Sequence, residues 1–265
     1  MIIIGELINA SRKQIAPAIE NKDADTIQKI AKDERENGAD FIDVNAGVFV
    51  GKESDYLKWL VTTVQETVEA PCCIDSPDPK AIETALSVHK GIPMINSISL
   101  EKERYEALLP VVSGTECKVV ALCMSDKGMP ETTDDRVSIA DELINNLLKN
   151  NVPLNNIYVD PLVQPVSTKD SYGIEFLDAI EKIINKFPGV HTICGLSNIS
   201  FGLPERKFLN QTFMVMAITK GLDAAIVNPL DKGMMAKIVA AETLAGKDEY
   251  CSQYLQAWRD KKFEL

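Results

Sequence analysis

The chain has 265 residues, room for one large α/β barrel or two small domains, and its 45% apolar and 25% charged residues are those of a soluble globular protein with a sizeable core. A formal net charge of −11 argues against nucleic acid and anionic membrane surfaces as partners, since both would repel it. No apolar run approaches the ~20 residues of a membrane span.

Helical and extended patterns alternate without a break, the mark of repeated βα units. The opening Met1-Ile2-Ile3-Ile4-Gly5-Glu6 carries no basic leader and reads as a first strand over 2–8, so the expected location is the cytoplasm. Ile27, Ile30 and Ala31 give residues 25–37 a helical period, and Gly38 ends it. A second strand over 41–44 precedes an amphipathic helix carrying Tyr56, Leu57, Leu60, Val61, Val64 and Val68. Pro71 opens a third strand, and Pro79 sits where a first helical turn tolerates it. Residues 93–97 are the fourth strand, with Tyr105, Leu108 and Leu109 marking its helix.

The fifth strand is predicted at 118–124, followed by a Gly-, Pro-, Asp- and Thr-rich loop over 125–136 and a helix over 137–149. Ile157-Tyr158-Val159-Asp160 is the sixth strand. Its helix over 174–187 places Ile174, Leu177, Ile180, Ile183 and Ile184 on one face. The seventh and eighth strands are predicted at 192–196 and 224–227, with helices over 208–220 and 232–245. A last helix is expected at 254–263. Eight such units predict a single (β/α)8 TIM barrel with a short extra C-terminal helix, one domain spanning residues 1–265. The competing doubly wound sheet is disfavoured because the first turn lacks a G-x-G-x-x-G fingerprint.

One design recurs along these strands: an apolar run that ends on a carboxylate or a primary amide. It appears in Phe41-Ile42-Asp43-Val44-Asn45, Cys72-Cys73-Ile74-Asp75, Met94-Ile95-Asn96, Ile157-Tyr158-Val159-Asp160-Pro161, Ile193-Cys194-Gly195-Leu196-Ser197-Asn198 and Ala224-Ala225-Ile226-Val227-Asn228. In a barrel the reacting groups stand at the C-terminal ends of the strands, so the mouth would hold Glu6, Asn9, Asp43, Asn45, Asp75, Asn96, Asp160, Asn198 and Asn228. No Lys, Arg, His or Cys stands among them, which disfavours a Schiff-base lysine, a nucleophile–His pair and a His-ligated metal hydrolase. Each acid could instead cap a helix or close a turn. Acids mixed with amides suit a neutral planar heterocycle rich in N–H and C=O groups, such as the 2-amino-4-oxo pyrimidine edge of a pterin.

The cysteines at 72, 73, 117, 123, 194 and 251 form no C-x-x-C pair, and Cys72, Cys73, Cys123 and Cys194 read as small core residues. His89 and His191 have no acidic or Cys neighbour at useful spacing and read as packing or surface residues, so no metal site is expected.

Asp75 after its apolar strand, Met94-Ile95-Asn96-Ser97, Tyr158-Val159-Asp160-Pro161-Leu162, Gly195-Leu196-Ser197-Asn198-Ile199-Ser200, and the stretch from Met216-Ala217 to Asp223-Ala224-Ala225-Ile226 carry a family resemblance. The chain resembles the pterin-binding methyltransferases, above all the methyltetrahydrofolate:corrinoid protein methyltransferases and the folate module of cobalamin-dependent methionine synthase. The match runs from Ile4-Gly5-Glu6-Leu7-Ile8-Asn9 onward. The resemblance implies that Asp75, Asn96 and Asp160 hold the pyrimidine edge of the pterin and that Asn198 approaches N5. It places Gly195 and Ser197 along the ring, Arg206 near the folate, and Asp43, Asn45 and Glu6 in the acidic neighbourhood of the pterin. Phe201 departs from the pattern, because some relatives carry a polar residue there.

The activity implied is methyl transfer between N5 of tetrahydrofolate and the cobalt of a corrinoid on a partner protein, in the direction of 5-methyltetrahydrofolate in a demethylating pathway. The alternatives are methyl donation to a corrinoid iron–sulfur protein, or a non-catalytic folate-binding module. Dihydropteroate synthase shares the fold and pocket, but its late Ser-x-Arg-x-His segment is absent here. The partner surface is expected in the loops at 48–52, 125–135 and 201–207, and the resemblance implies a homodimer formed through barrel helices.

Overall fold

The computed structural model describes residues 1–263. Strands β1 (Ile2–Asn9), β2 (Phe41–Asn45), β3 (Cys72–Asp75), β4 (Met94–Leu100), β5 (Lys118–Ser125), β6 (Ile157–Asp160), β7 (His191–Thr192) and β8 (Ala224–Val227) form one parallel sheet in the order β7-β6-β5-β4-β3-β2-β1-β8. The ring is closed by the isolated parallel bridge between Gly195 and Ile226, where the Ile226 N–H donates to the Cys194 carbonyl at 3.0 Å. This is a (β/α)8 TIM barrel.

Helices α1 (Ala16–Glu20), α2 (Ala24–Glu36), α3 (Glu53–Gln65), α4 (Pro79–Leu86), α5 (Lys102–Val112), α6 (Thr133–Lys149), α7 (Tyr172–Lys186), α8 (Arg206–Lys220) and α9 (Lys232–Leu244) surround it, and α10 (Ser252–Arg259) packs on α9. Because side chains alternate along a strand, Ile42, Ile74, Ile95, Val159 and Ala225 face outward and are buried under this helical coat.

Several predicted boundaries move, each for a local reason. The helix expected at 137 begins at Thr133, because Thr132 and Asp135 form a reciprocal capping box that takes up the first orphan N–H groups. The seventh strand is two residues long rather than five. After Cys194 the backbone turns at Gly195 and continues as a 3₁₀ turn over Leu196–Ser200, where Ser and Asn offer the chain local partners in place of a ladder. Ile174 is 51% exposed, so the apolar face predicted for its helix is not wholly buried. The short helix α1 was not predicted, while Gly38 ends α2 as expected, at φ +103°.

Cys72, Cys73, Cys123 and Cys194 are buried core residues. His89 is half-buried, and its Nε2 accepts the Cys72 N–H at 2.9 Å. His191 has an acidic partner after all: its Nδ1 lies 2.7 Å from Asp223 Oδ2, and its ring stacks on Tyr158. Asp223 is 32 positions away along the chain, so no local spacing rule could reveal it. The pair sits where strands begin, the face that serves stability in this fold.

Candidate functional site

A ring of eight apolar side chains, one from each stave, fills the lower lumen: Ile4, Phe41, Cys73, Met94, Val120, Tyr158, Ile193 and Ala224. The next lumen-facing position on each stave lies two residues on. Those positions are Glu6, Asp43, Asp75, Asn96, Leu122, Asp160, Gly195 and Ile226. The packed floor therefore gives way, within one step, to a layer of four carboxyls and an amide, with Leu122 and Ile226 left as apolar wall. Asn45, two residues above Asp43, is the register partner of Asp75, which in turn pairs with Asn96 on the neighbouring strand. Asn45 Nδ2 donates to Asp75 Oδ2 at 2.8 Å, while its Oδ1 accepts the Gly47 N–H and closes the turn above.

The acids are strongly perturbed, and burial is the first cause in each. It pushes Asp43 well above the usual carboxylate range, with the charge of Asp75 adding to the effect. Burial also raises Asp75, against the Asn45 hydrogen bond and the more distant Arg104 guanidinium. Asp160 is raised to about 7, although N–H groups of Leu162 and Gly195 and the Arg136 charge oppose the rise. Its Oδ1 accepts the Leu162 N–H at 2.8 Å. None of the three caps a helix; that role falls to Asp23, Asp78, Thr132 and Asp231. Asn9 and Asn228, like Asp160, each spend a side-chain oxygen on the turn after the strand, accepting from Ser11 and Leu230.

Gly195, Ser197 and Asn198 arrive together on the Leu196–Ser200 turn. A Cβ at Gly195 would stand 3.7 Å from Asn198 Nδ2, so the amide lies over the bare glycine backbone. Asn198 is exposed, free to meet a ligand entering from the mouth. Arg206 does not point to a free anion site. Its Nη2 donates to the Ser197 carbonyl at 2.6 Å and its Nε to Ser200 Oγ at 2.9 Å, tying down the turn that carries Asn198. Glu6 is held by Arg12 Nη2 at 2.6 Å on the rim.

Three groups escaped the strand-end reading because they come from helices. Arg104 of α5 donates Nε to the Ser97 carbonyl at 2.7 Å and Nη2 to the Ser76 carbonyl at 3.2 Å, behind Asp75. Arg136 of α6 is fully buried, with Nε on the Pro161 carbonyl at 3.0 Å and Nη1 on the Thr132 carbonyl at 3.0 Å. The signal for Arg136 was the T-x-x-D capping box, which sets it in the first turn of its helix. Glu34 of α2 is fully buried against β1, and a Cβ at Gly5 would lie 2.5 Å from its Oε1.

The chain matches the family described as Pterin binding enzyme over residues 5–228. It belongs to the pterin-binding enzymes. Relatives sharpen this placement. A methylcorrinoid:tetrahydrofolate methyltransferase of Eubacterium limosum is 38% identical over 264 residues, covering 99% of this chain and 97% of that protein. The methionine synthase of Mycobacterium tuberculosis is 31% identical over 242 residues, 86% of this chain but 20% of that much longer enzyme. Among solved structures, a dihydropteroate synthase from Anaplasma phagocytophilum with bound 6-hydroxymethylpterin-monophosphate superposes at a TM-score of 0.71 and 18% identity, covering 92% of this chain and 99% of that one. One from Coxiella burnetii in complex with pteroic acid gives 0.72 and 18%, covering 92% and 93%. At that identity these two bear on the fold alone.

Proposed function

We propose that this chain moves a methyl group between N5 of tetrahydrofolate and the cobalt of a corrinoid carried by a partner protein, with tetrahydrofolate as the acceptor. The observation that carries the reading is the abrupt change of the lumen from an apolar floor to a ring of acids and amides one residue-pair higher. Asp75, Asn96 and Asp160 accept and donate to the pyrimidine edge, with Asn45 bracing Asp75. Asp43, which pairs in register with the floor residue Cys73, and Glu6, held by Arg12, make the lumen acidic rather than touch the ring.

Gly195 and Ser197 border the pterin plane, and Arg206 fixes their turn. Asn198 meets N5. An amide there accepts from N5–H before transfer and donates to the nitrogen lone pair after it. The proton that N5 loses on methylation passes to solvent at the open mouth, where Asn198 is exposed, and the amide follows the change without changing charge. The partner's corrinoid supplies a cobalt centre that gives up or takes the methyl group while the bonding electron pair stays on the metal. The protein's residues hold the ring flat and leave its N5 edge toward the mouth.

The partner docks over that mouth, where Val48, Val50, Met129 and Phe201 are exposed on the surrounding loops. A cleft of about 480 Å³ beside the mouth, lined by Asp126, Glu131, Asp135 and Glu142, is acidic and unsuited to the folate glutamate tail. Mixing the protein with 5-methyltetrahydrofolate and a Co(I) corrinoid and following the cobalt absorbance tests the activity. No spectral change in either direction leaves a folate-binding module without catalysis. Asn198→Ala is expected to slow transfer by about tenfold to fiftyfold while folate affinity changes less; equal loss in both would remove Asn198 from the N5 step.

The chain also forms a homodimer in this reading. Ile174, Leu209 and Met216 stay exposed along α7 and α8 beside an apolar groove, a face that a second copy covers. Sedimentation equilibrium at micromolar concentration reads a dimer mass if so, and a monomer mass ends the proposal. No helix among the described residues is long and apolar enough to cross a membrane. A cytoplasmic location and the absence of nucleic-acid partners complete the reading, and the net charge of −11 supports the second of these.

A further inference from the structure

We propose that Arg104 and Arg136 are positioning residues for folate recognition: each guanidinium sits behind one lumen carboxylate, pins the loop that follows the strand, and keeps that acid available as an acceptor. The inference rests on Asp75 and Asp160 being the pterin-binding acids. The two arginines repeat one construction, Arg104 behind the ends of β3 and β4 and Arg136 behind the end of β6. Arg104 gathers the carbonyls of Ser76 and Ser97, the residues that follow Asp75 and Asn96. Arg136 gathers the carbonyls of Pro161 and Leu162, directly after Asp160, and of Thr132 at the start of its own helix.

Neither guanidinium has a carboxylate ion-pair partner within 4.0 Å among the described residues; the only arginine so paired is Arg12. A charge buried as fully as that of Arg136, spending its N–H groups on neutral carbonyls, is costly as a purely structural device, and half-buried Arg104 bears a smaller cost of the same kind. Their positions explain it. Asp160 is faced by Arg136, by the buried thiols of Cys123 and Cys194, and by the N–H groups of Leu162 and Gly195, so Arg136 is the one cation among them. Asp75 is faced by Asp43, Glu53, Cys73, Asn45 and Arg104, and again the arginine is the one cation. Even so, burial leaves Asp160 at about 7, near the point where half of it is protonated at neutral pH. A protonated Asp160 has lost part of its capacity to accept from the pterin N–H groups.

The test is the Kd of 5-methyltetrahydrofolate by isothermal titration between pH 6 and pH 9, for the unaltered protein and for Arg136→Gln, Arg136→Lys and Asp160→Asn. Affinity of the unaltered protein is expected to rise through about pH 7 and then level, following Asp160. Arg136→Gln moves that rise upward by about one pH unit, so binding is about fivefold weaker at pH 7 and nearly restored at pH 9. Arg136→Lys keeps the charge and the original midpoint. A loss in Arg136→Gln that is the same at every pH, or a midpoint in Arg136→Lys displaced as far as in the glutamine variant, overturns the proposal. Asp160→Asn should bind weakly with a flat profile. If instead it keeps full affinity and the original profile, it is the assignment of Asp160 to the pterin that fails. Should Arg136→Gln not fold, Arg104→Gln tests the other half of the construction through Asp75: a loss of affinity at pH 7 that recovers toward pH 9 supports the proposal, and a pH-independent loss overturns it.

Discussion

Asp160→Ala is expected to weaken folate binding by about 2–4 kcal/mol, roughly thirtyfold to a thousandfold in Kd. The carboxylate is buried where β6 opens into the lumen, and one of its oxygens is already engaged by the Leu162 N–H. The Gly195 N–H also faces the carboxyl, and the acceptor capacity that remains serves the ligand. Removing the group leaves pyrimidine N–H donors facing an apolar gap between Leu122 and the Gly195 turn, cut off from water, and the affinity falls by the cost of those unmet donors. The empty protein should not suffer in parallel. Asp160 is a desolvated acid raised to about 7, so its removal relieves an unfavourable burial above that pH. Binding and stability thus move in opposite directions at pH 8, the pattern of a residue kept for its ligand. Isothermal titration alongside urea unfolding at pH 8 checks both. Unchanged affinity would sink the assignment, and a large stability loss would turn Asp160 into a structural residue.

The barrel and most of its mouth were legible because both are written in strand periodicity. Apolar runs ending on Asp75, Asn96 and Asp160 carry their side chains to one rim by alternation alone, and the register of β2, β3 and β4 brings Asn45, Asp75 and Asn96 side by side. What was illegible came from groups that enter the lumen sideways. Arg104 and Arg136 lie on helices whose other charged residues are ordinary solvated ones, and nothing in a helical period separates a buried arginine from an exposed one. Arg206 stands beside the turn that carries Asn198, and its partners are carbonyl and hydroxyl oxygens that only the folded turn creates. The pairing of His191 with Asp223 is a property of neighbouring staves, not of spacing. The seventh strand was overextended for a related reason: Ile193 and Cys194 are as apolar as a strand demands, while the turn is dictated by Gly195, Ser197 and Asn198 immediately after.

The second large effect concerns Glu34 and the pH range in which the fold is most stable. β1 slips register with β2 between Gly5 and Ile8, and the Leu7 N–H donates to Glu34 Oε1 at 2.9 Å instead of to a strand carbonyl. The carboxyl fits there because Gly5 has no side chain. Its other oxygen is buried without a partner, as is Asp43 Oδ1 in the same acidic neighbourhood. Burial, together with the charge of Glu6 and against the Leu7 N–H, lifts Glu34 to about 8 from an ordinary 4.5. A folded-state value above the unfolded one means that the native chain holds the proton more tightly. The resulting stabilisation is complete below about 4.5 and is lost as the pH climbs through 8. Glu34 should therefore cost the native state roughly 3 kcal/mol between pH 5 and pH 8. Glu34→Gln keeps an acceptor for Leu7 and carries no titrating proton, so its stability should match the parent at pH 5 and exceed it by roughly that amount at pH 8. Asp43 and Asp160 are raised too and add a loss of the same sign, which persists in the variant. Urea unfolding at the two pH values decides the matter, and an advantage of equal size at both would show that Glu34 is ionised in the fold. A neutral Glu34 also spares Asp43, the buried lumen acid whose carboxyl a charge on Glu34 would push up further.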